Sequence, residues 1–257
     1  MNHLTHNFAN GPRVKCLGDQ SVLTLSTAYE RLIHLHGEMA VKQKLLLMQP
    51  APTREHDGFG EIHQVPQPLD LCTVIKADGA FVPDGIGAIV VLQVADCAPV
   101  VIYVPGYGTY ILHCGRPALA PRNQCGHNLL TEAFILAGYK RDQPATGAQV
   151  WVGPHISWQN FPHPSSGEGY EEHVAPFEVL HNAQPDWGVL QRTRDKPSVY
   201  IDLQRVIRFY LERMYQLSSK QICWQNPCTY QDTGWASYRR HHGQKLTRSN
   251  LVVVTCR

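Results

Sequence analysis

The sequence predicts one α/β (α+β) domain, and three features carry that reading. Ala88 to Val94 and Val100 to Val104 are runs rich in β-branched residues, the composition of buried strands. Asn128 to Ala137 and Asp202 to Leu217 instead place apolar residues at helical spacing; in the second, Leu203, Val206, Ile207, Tyr210, Leu211, Met214 and Leu217 form one stripe. Helical and strand segments are interleaved, with no internal repeat or low-complexity tract, so a single layered domain is expected over residues 21–257 of the 257-residue chain.

Residues 1–20 are polar and irregular and read as an N-terminal arm or a loosely packed first strand. Ser26 is an N-cap candidate for a surface helix with Tyr29, Leu32, Ile33 and Leu35 near helical spacing, stopped by Gly37. Lys44 to Met48 is a short strand, after which Pro50, Pro52, Gly58, Gly60, Pro66 and Pro68 break regular structure. A break of that length is often functional. Pro105-Gly106-Tyr107-Gly108 joins the second central strand to Thr109–His113 as a hairpin. Gly138 ends the helix at 128–137, and Gln149–Val152 precedes Gly153-Pro154 as another strand. Residues 157–198 show no clear period, and Lys220–Trp224 and Leu251–Val254 are closing strands.

Composition narrows the function. With 23 Lys+Arg against 21 Asp+Glu the formal charge is +2, which disfavours an electrostatically driven nucleic-acid binder. No uninterrupted apolar run reaches the roughly 18 residues of a membrane span. The first residues carry neither a basic nor an apolar leader segment, so a cytoplasmic location and a small-molecule substrate are expected, with no nucleic-acid or membrane partner. Eight cysteines without a Cys-x-x-Cys pair read as reduced thiols, and Cys223 and Cys228 as packing residues.

The chemistry concentrates where Asp96 and Cys97 interrupt the two central strands. If the hairpin turns about Gly106-Tyr107, His113 lies opposite Val100, and Cys97 is three residues farther along, roughly 10 Å at the strand rise. A thiol and an imidazole at one end of a sheet can be a nucleophile with its base, or two of the three protein ligands of a catalytic zinc. The same spacing also suits a buried small hydrophobe and a satisfied core histidine. Asp96 could orient His113 or the thiol, or cap a turn.

Ordered motifs resemble the laccase-domain or polyphenol-oxidase-like family, which includes purine nucleoside phosphorylase-type and peptidoglycan-editing-factor proteins. Ala95-Asp96-Cys97-Ala98-Pro99-Val100 is similar to its A-D-C-x-P-V, and His113-Cys114-Gly115-Arg116 stands in place of its H-A-G-W. Gly153-Pro154-His155-Ile156 is similar to G-P-x-I, and Cys228-Thr229 with Ala236-Ser237-Tyr238-Arg239-Arg240 to its C-T and F-S-Y-R-R ending. Gly18-Asp19 also fits. The resemblance implies a mixed β-sandwich flanked by helices and a pocket where His, Cys and His bind zinc. It also implies phosphorolysis, a transferase reaction, or deamination, a hydrolase reaction, on purine nucleosides.

Two departures qualify that implication. The family's Q-V-H-G motif aligns with Gln49-Pro50-Ala51-Pro52, which puts a methyl group where a ligand belongs; an alternative register through Glu61-Ile62-His63-Gln64 keeps a histidine. The implied metal set is therefore Cys97, His113 and His63, with Cys97 and His113 also catalytic. Arg116 replaces an aromatic pocket wall with a cation, so Gln49, Arg116 and Arg239 are the substrate-binding candidates. A zinc enzyme of weakened turnover, a non-catalytic relative (pseudoenzyme) and a metal-free Cys97/His113 hydrolase all remain compatible with these residues.

Overall fold

Two six-stranded sheets packed face to face organise the chain in a computed structural model, which describes residues 2–21, 44–49, 61–65, 72–123, 126–193, 198–240 and 248–256. The first sheet holds β1 (His3–Asn7), β2 (Arg13–Ser21), β3 (Lys44–Gln49), β5 (Cys72–Lys76), β7 (Ala88–Val94) and β15 (Arg248–Cys256), in the order β1-β2-β15-β7-β3-β5. The second holds β4 (Ile62–Gln64), β6 (Gly79–Pro83), β8 (Ala98–Val104), β9 (Gly108–Cys114), β10 (Gln149–Val152) and β14 (Ile222–Trp224), in the order β14-β10-β8-β9-β6-β4. Parallel and antiparallel pairs mix in both, so the fold is a single-domain α+β mixed sandwich.

Alternation along the central strands divides their side chains between two cores. Val90 and Leu92 meet Val101, Ile111 and Trp151 between the sheets, while Val100, Ile102, Tyr110 and Leu112 face the helices. That second layer comprises α1 (Arg116–Leu119), α2 (Leu129–Leu136), α3 (Glu168–His173), α4 (Ala175–Ala183) and α5 (Leu203–Arg208), the last continuing through a π-helical stretch, Phe209–Met214. Asn128 starts α2 with a capping box shared with Thr131, and the Asp202 carboxylate starts α5 by accepting from the Arg205 N–H at 3.0 Å. A small sheet, β11 (Pro162–Pro164), β13 (Ser198–Ile201) and β12 (Leu190–Arg192), organises the stretch that showed no period.

Two expectations need correction. Residues 3–21 are not a free arm: β1 and β2 pair antiparallel, and β2 runs beside β15 along most of its length. β1 is the edge strand, where one side of the backbone meets solvent, while on the interior β2 the polar Arg13 and Lys15 alternate with the buried Val14 and Cys16. The β8–β9 hairpin turns through three residues centred on Gly106, which at φ 77° supplies the left-handed conformation. His113 therefore pairs with Pro99, one residue from the expected Val100. The helix expected at 26–36 lies outside the described residues.

Candidate active site

Pairing at the open end of β8 and β9 builds the site. Ala98 pairs with Cys114, so Cys97 and Gly115 are the first residues beyond the ladder and come together. A Cβ on Gly115 would stand 2.9 Å from Cys97 Sγ and 3.3 Å from His113 Cε1, so the thiol and the imidazole close over a position that only glycine fits. His113 and Cys97 meet around Gly115, and the His113 Nδ1–H donates to Asp78 Oδ1 at 2.8 Å. With Nδ1 taken by Asp78, Nε2 is the ring nitrogen left for other chemistry.

Asp78 is 1% exposed and immediately precedes β6; its carbonyl also accepts the His113 backbone N–H at 2.7 Å. Burial alone would push the His113 ring down. The charge at Cys97, hydrogen bonds with Asp78 and Cys97, and the charge of Asp78 instead carry it up to about 10. Neighbouring Cys114 points into the helix-side core, where burial, Asp78 and Cys97 push its thiol well up.

Asp96 holds the other side of Cys97. Its φ of 72° is left-handed, and its carboxylate accepts from the Thr229 hydroxyl at 2.6 Å and the Arg239 N–H at 2.8 Å. The Arg240 guanidinium gathers the carbonyls of Thr229, Tyr230, Asp232 and Trp235, fixing the loop that presents Thr229. Arg240 is thus the brace of buried carbonyls within the Arg239-Arg240 pair, while Arg239 lays its guanidinium 5.0 Å from the Phe161 ring centre.

Arg116, at the start of α1, donates from Nη1 to His163 Nδ1 at 3.3 Å. His163 is 3% exposed and edge-on to Phe161, so Arg116 and Arg239 meet around one buried imidazole. Burial, then Arg116, Arg239 and His173, push His163 down to about 3, and its Nε2 is buried without a partner. Sequence reasoning passed over both Asp78 and His163. An aspartate immediately ahead of an apolar strand was a usable signal for the first; nothing local marked the second.

His63 does not join Cys97 and His113. It is exposed on β4, where parallel pairing with β6 sets it opposite Ala80, and Ala80 in turn opposite Ile111. Two strand spacings, about 10 Å, and two residues of β9 then separate it from His113. Gln49 closes β3 with its side chain outside the described residues, as is Ala51. A thiol and an Asp-braced imidazole are donors that zinc takes, but a catalytic zinc is held by three protein ligands. Among the described residues no three His, Cys, Asp or Glu side chains form a metal-binding group, so these residues alone do not complete a catalytic zinc site. Nor, among them, is any helix long and apolar enough to cross a membrane.

A family model described as multi-copper polyphenol oxidoreductase laccase matches residues 39–255. Among solved structures, Bacillus licheniformis hypothetical protein YfiH superimposes with a TM-score of 0.68 at 16% identity, over 96% of this chain and 93% of that one. Neisseria meningitidis protein NMB0706 gives 0.67 at 15% identity over 100% and 99%. YlmD from Geobacillus stearothermophilus gives 0.67 at 16% over 96% and 92%. At such identities the likeness is one of fold. No curated protein matches the sequence.

Proposed function

The chain belongs to the multi-copper polyphenol oxidoreductase laccase family, and we propose that it is an enzyme acting on purine nucleosides, with slow turnover, at a centre formed by Cys97, His113 and Asp78. The observation that carries this reading is the His113 ring held between a thiol and a buried carboxylate. That is an acid/base group of fixed orientation beside a nucleophile. In phosphorolysis a phosphate oxygen attacks C1′ of the ribose while the bond to the base breaks, and the leaving base takes the electron pair and needs a proton. His113 supplies the proton, with Asp78 holding the ring in place. In deamination water adds to the ring carbon that bears the amine, and the same ring protonates the amine as it departs as ammonia. Arg116 and Arg239 provide the cationic side that favours a bound phosphate.

Zinc held by Cys97 and His113 would add Lewis acidity but would occupy the second ring nitrogen of His113, so the proton-donor role given above is that of the metal-free site. A non-catalytic relative is the second reading, favoured by Ala51 at the position of the motif histidine. Release of free base from adenosine and inosine, with and without phosphate, separates the two. Release by the wild type that is lost in Cys97→Ala and His113→Gln supports the enzyme. No release above background supports the non-catalytic relative, and release that survives both substitutions places the chemistry elsewhere.

A further inference from the structure

A second cavity, of about 420 Å³, opens between α5 and the loops at 155–160 and 226–231, and its lining includes none of Cys97, His113, Arg116 or Arg239. Its chemistry centres on Cys228, a residue with no role in the nucleoside reaction. The Ser157 N–H donates to Cys228 Sγ at 3.4 Å and Asn160 Nδ2 at 3.6 Å, and the Ser157 hydroxyl shares a hydrogen bond with it at 3.2 Å. A neutral thiol uses few of these donors, whereas a thiolate accepts from all of them.

The opposite requirement is met beside it. His155 pairs with Cys228 in a parallel bridge, so the two residues are neighbours across adjacent chains. At 3% exposure, His155 donates Nδ1–H to the Gly153 carbonyl at 2.9 Å, which leaves Nε2 as an acceptor with no partner among the described residues, on the wall of the cavity. Arg205 and Arg208 line the same space. The cavity therefore combines a sulfur nucleophile, a buried acceptor for one O–H and nearby cations for a departing anion.

We infer that this cavity is a thiol-oxidation site, in which Cys228 reacts with a hydroperoxide, ROOH with R a hydrogen or a small alkyl group. The thiolate sulfur attacks the hydroxyl-bearing oxygen, whose O–H is held by His155 Nε2. The S–O bond forms as the O–O bond breaks, and the bonding pair leaves on RO⁻, which takes a proton from solvent as ROH. Sulfur gives up two electrons to become a sulfenic acid and the peroxide is reduced by the same two. The polarity of the site supports this course. Burial tends to raise the Cys228 thiol, but the Ser157 hydroxyl and the N–H groups of Ser157, Gln231 and Tyr230 bring it below its ordinary value. Cys223 is pushed up by burial, and Cys16 and Cys256 are both buried and pushed up.

The test treats the full-length protein with hydrogen peroxide or tert-butyl hydroperoxide, traps sulfenic acid with dimedone and maps the adducts by peptide mass spectrometry. Cys228 is expected to be trapped several-fold faster than Cys223, because Ser157 and Asn160 donate to its sulfur. Ser157→Ala should remove most of that excess, and Asn160→Leu part of it, while Cys223 labelling stays as in the wild type. Equal rates at Cys228 and Cys223, or a Cys228 rate unchanged in both variants, would overturn the site. Alkylation of Cys228 by iodoacetamide without reaction with either peroxide would overturn the ligand class.

Discussion

Lowering the pH from 6.5 to 5.0 should destabilise this fold by about 2 kcal/mol through His163 alone. In the unfolded chain its imidazole titrates near 6.5, while in the native one burial, Arg116, Arg239 and His173 hold it down at about 3. Between those values the unfolded state binds a proton that the folded state refuses. Stability from this group is thus fully present above pH 6.5 and is lost as pH falls toward 3, at about 1.4 kcal/mol per unit. Because half of the unfolded rings are already protonated at pH 6.5, the interval to pH 5.0 integrates to about 1.6 kcal/mol, which rounds to 2. His163→Asn keeps an acceptor for Arg116 and removes the titrating ring; it lowers stability at neutral pH, because the edge-on packing at 4.4 Å from Phe161 is lost, and it flattens the acid slope. The assay is urea unfolding of both proteins at pH 6.5 and 5.0. The wild type is expected to lose about 2 kcal/mol more than the variant over that interval. Equal losses would refute the claim that Arg116 and Arg239 enclose a neutral imidazole.

Other substitutions probe separate parts of the account. Gly115→Ala puts a methyl group 2.9 Å from Cys97 Sγ and should part the thiol from His113, lowering base release by about 10- to 100-fold at a stability cost of about 1 kcal/mol. Arg240→Ala, which strips the carbonyls of Thr229, Tyr230, Asp232 and Trp235 of their donor, should cost about 3 kcal/mol in urea unfolding. Arg240→Lys should recover little of it, since an ammonium cannot span the same fork. Tyr210→Phe removes a buried hydroxyl without a partner and should be neutral or stabilising by up to about 1 kcal/mol; a clear loss of stability would show that the hydroxyl is satisfied.

The readable parts of the sequence are those where one physical demand dominates. Ala88–Val94 and Val100–Val104 announce themselves because both faces of their strands are buried, leaving no polar alternation to confuse the pattern. The stripe at 203–217 similarly marks α5 and its π-helical continuation. By contrast β1 is a polar edge strand held by β2, and β2 is held by β15, a partner more than 200 residues away in the chain. At the site, Cys97 and His113 stood out as polar breaks in apolar runs, and their meeting follows from the hairpin despite its one-residue shift in register. Asp78 and His163 did not stand out, because their meaning depends on partners 35 and 47 residues distant. His63 illustrates the reverse: a suitable residue type at a plausible spacing, carried away from the site by the pairing of β4 with β6.

The central claim is that Cys97, His113 and Asp78 work as one unit on a nucleoside, and a double-mutant cycle on base release tests it most directly. The quantities needed are kcat/KM for the wild type, Cys97→Ala, Asp78→Asn and the double variant, with far-ultraviolet circular dichroism confirming that each is folded. If His113 links the thiol to the carboxylate, the double variant should lose little more than the worse of the two single variants. Losses that multiply in the double variant would contradict the account, because they would mean that Cys97 and Asp78 act independently.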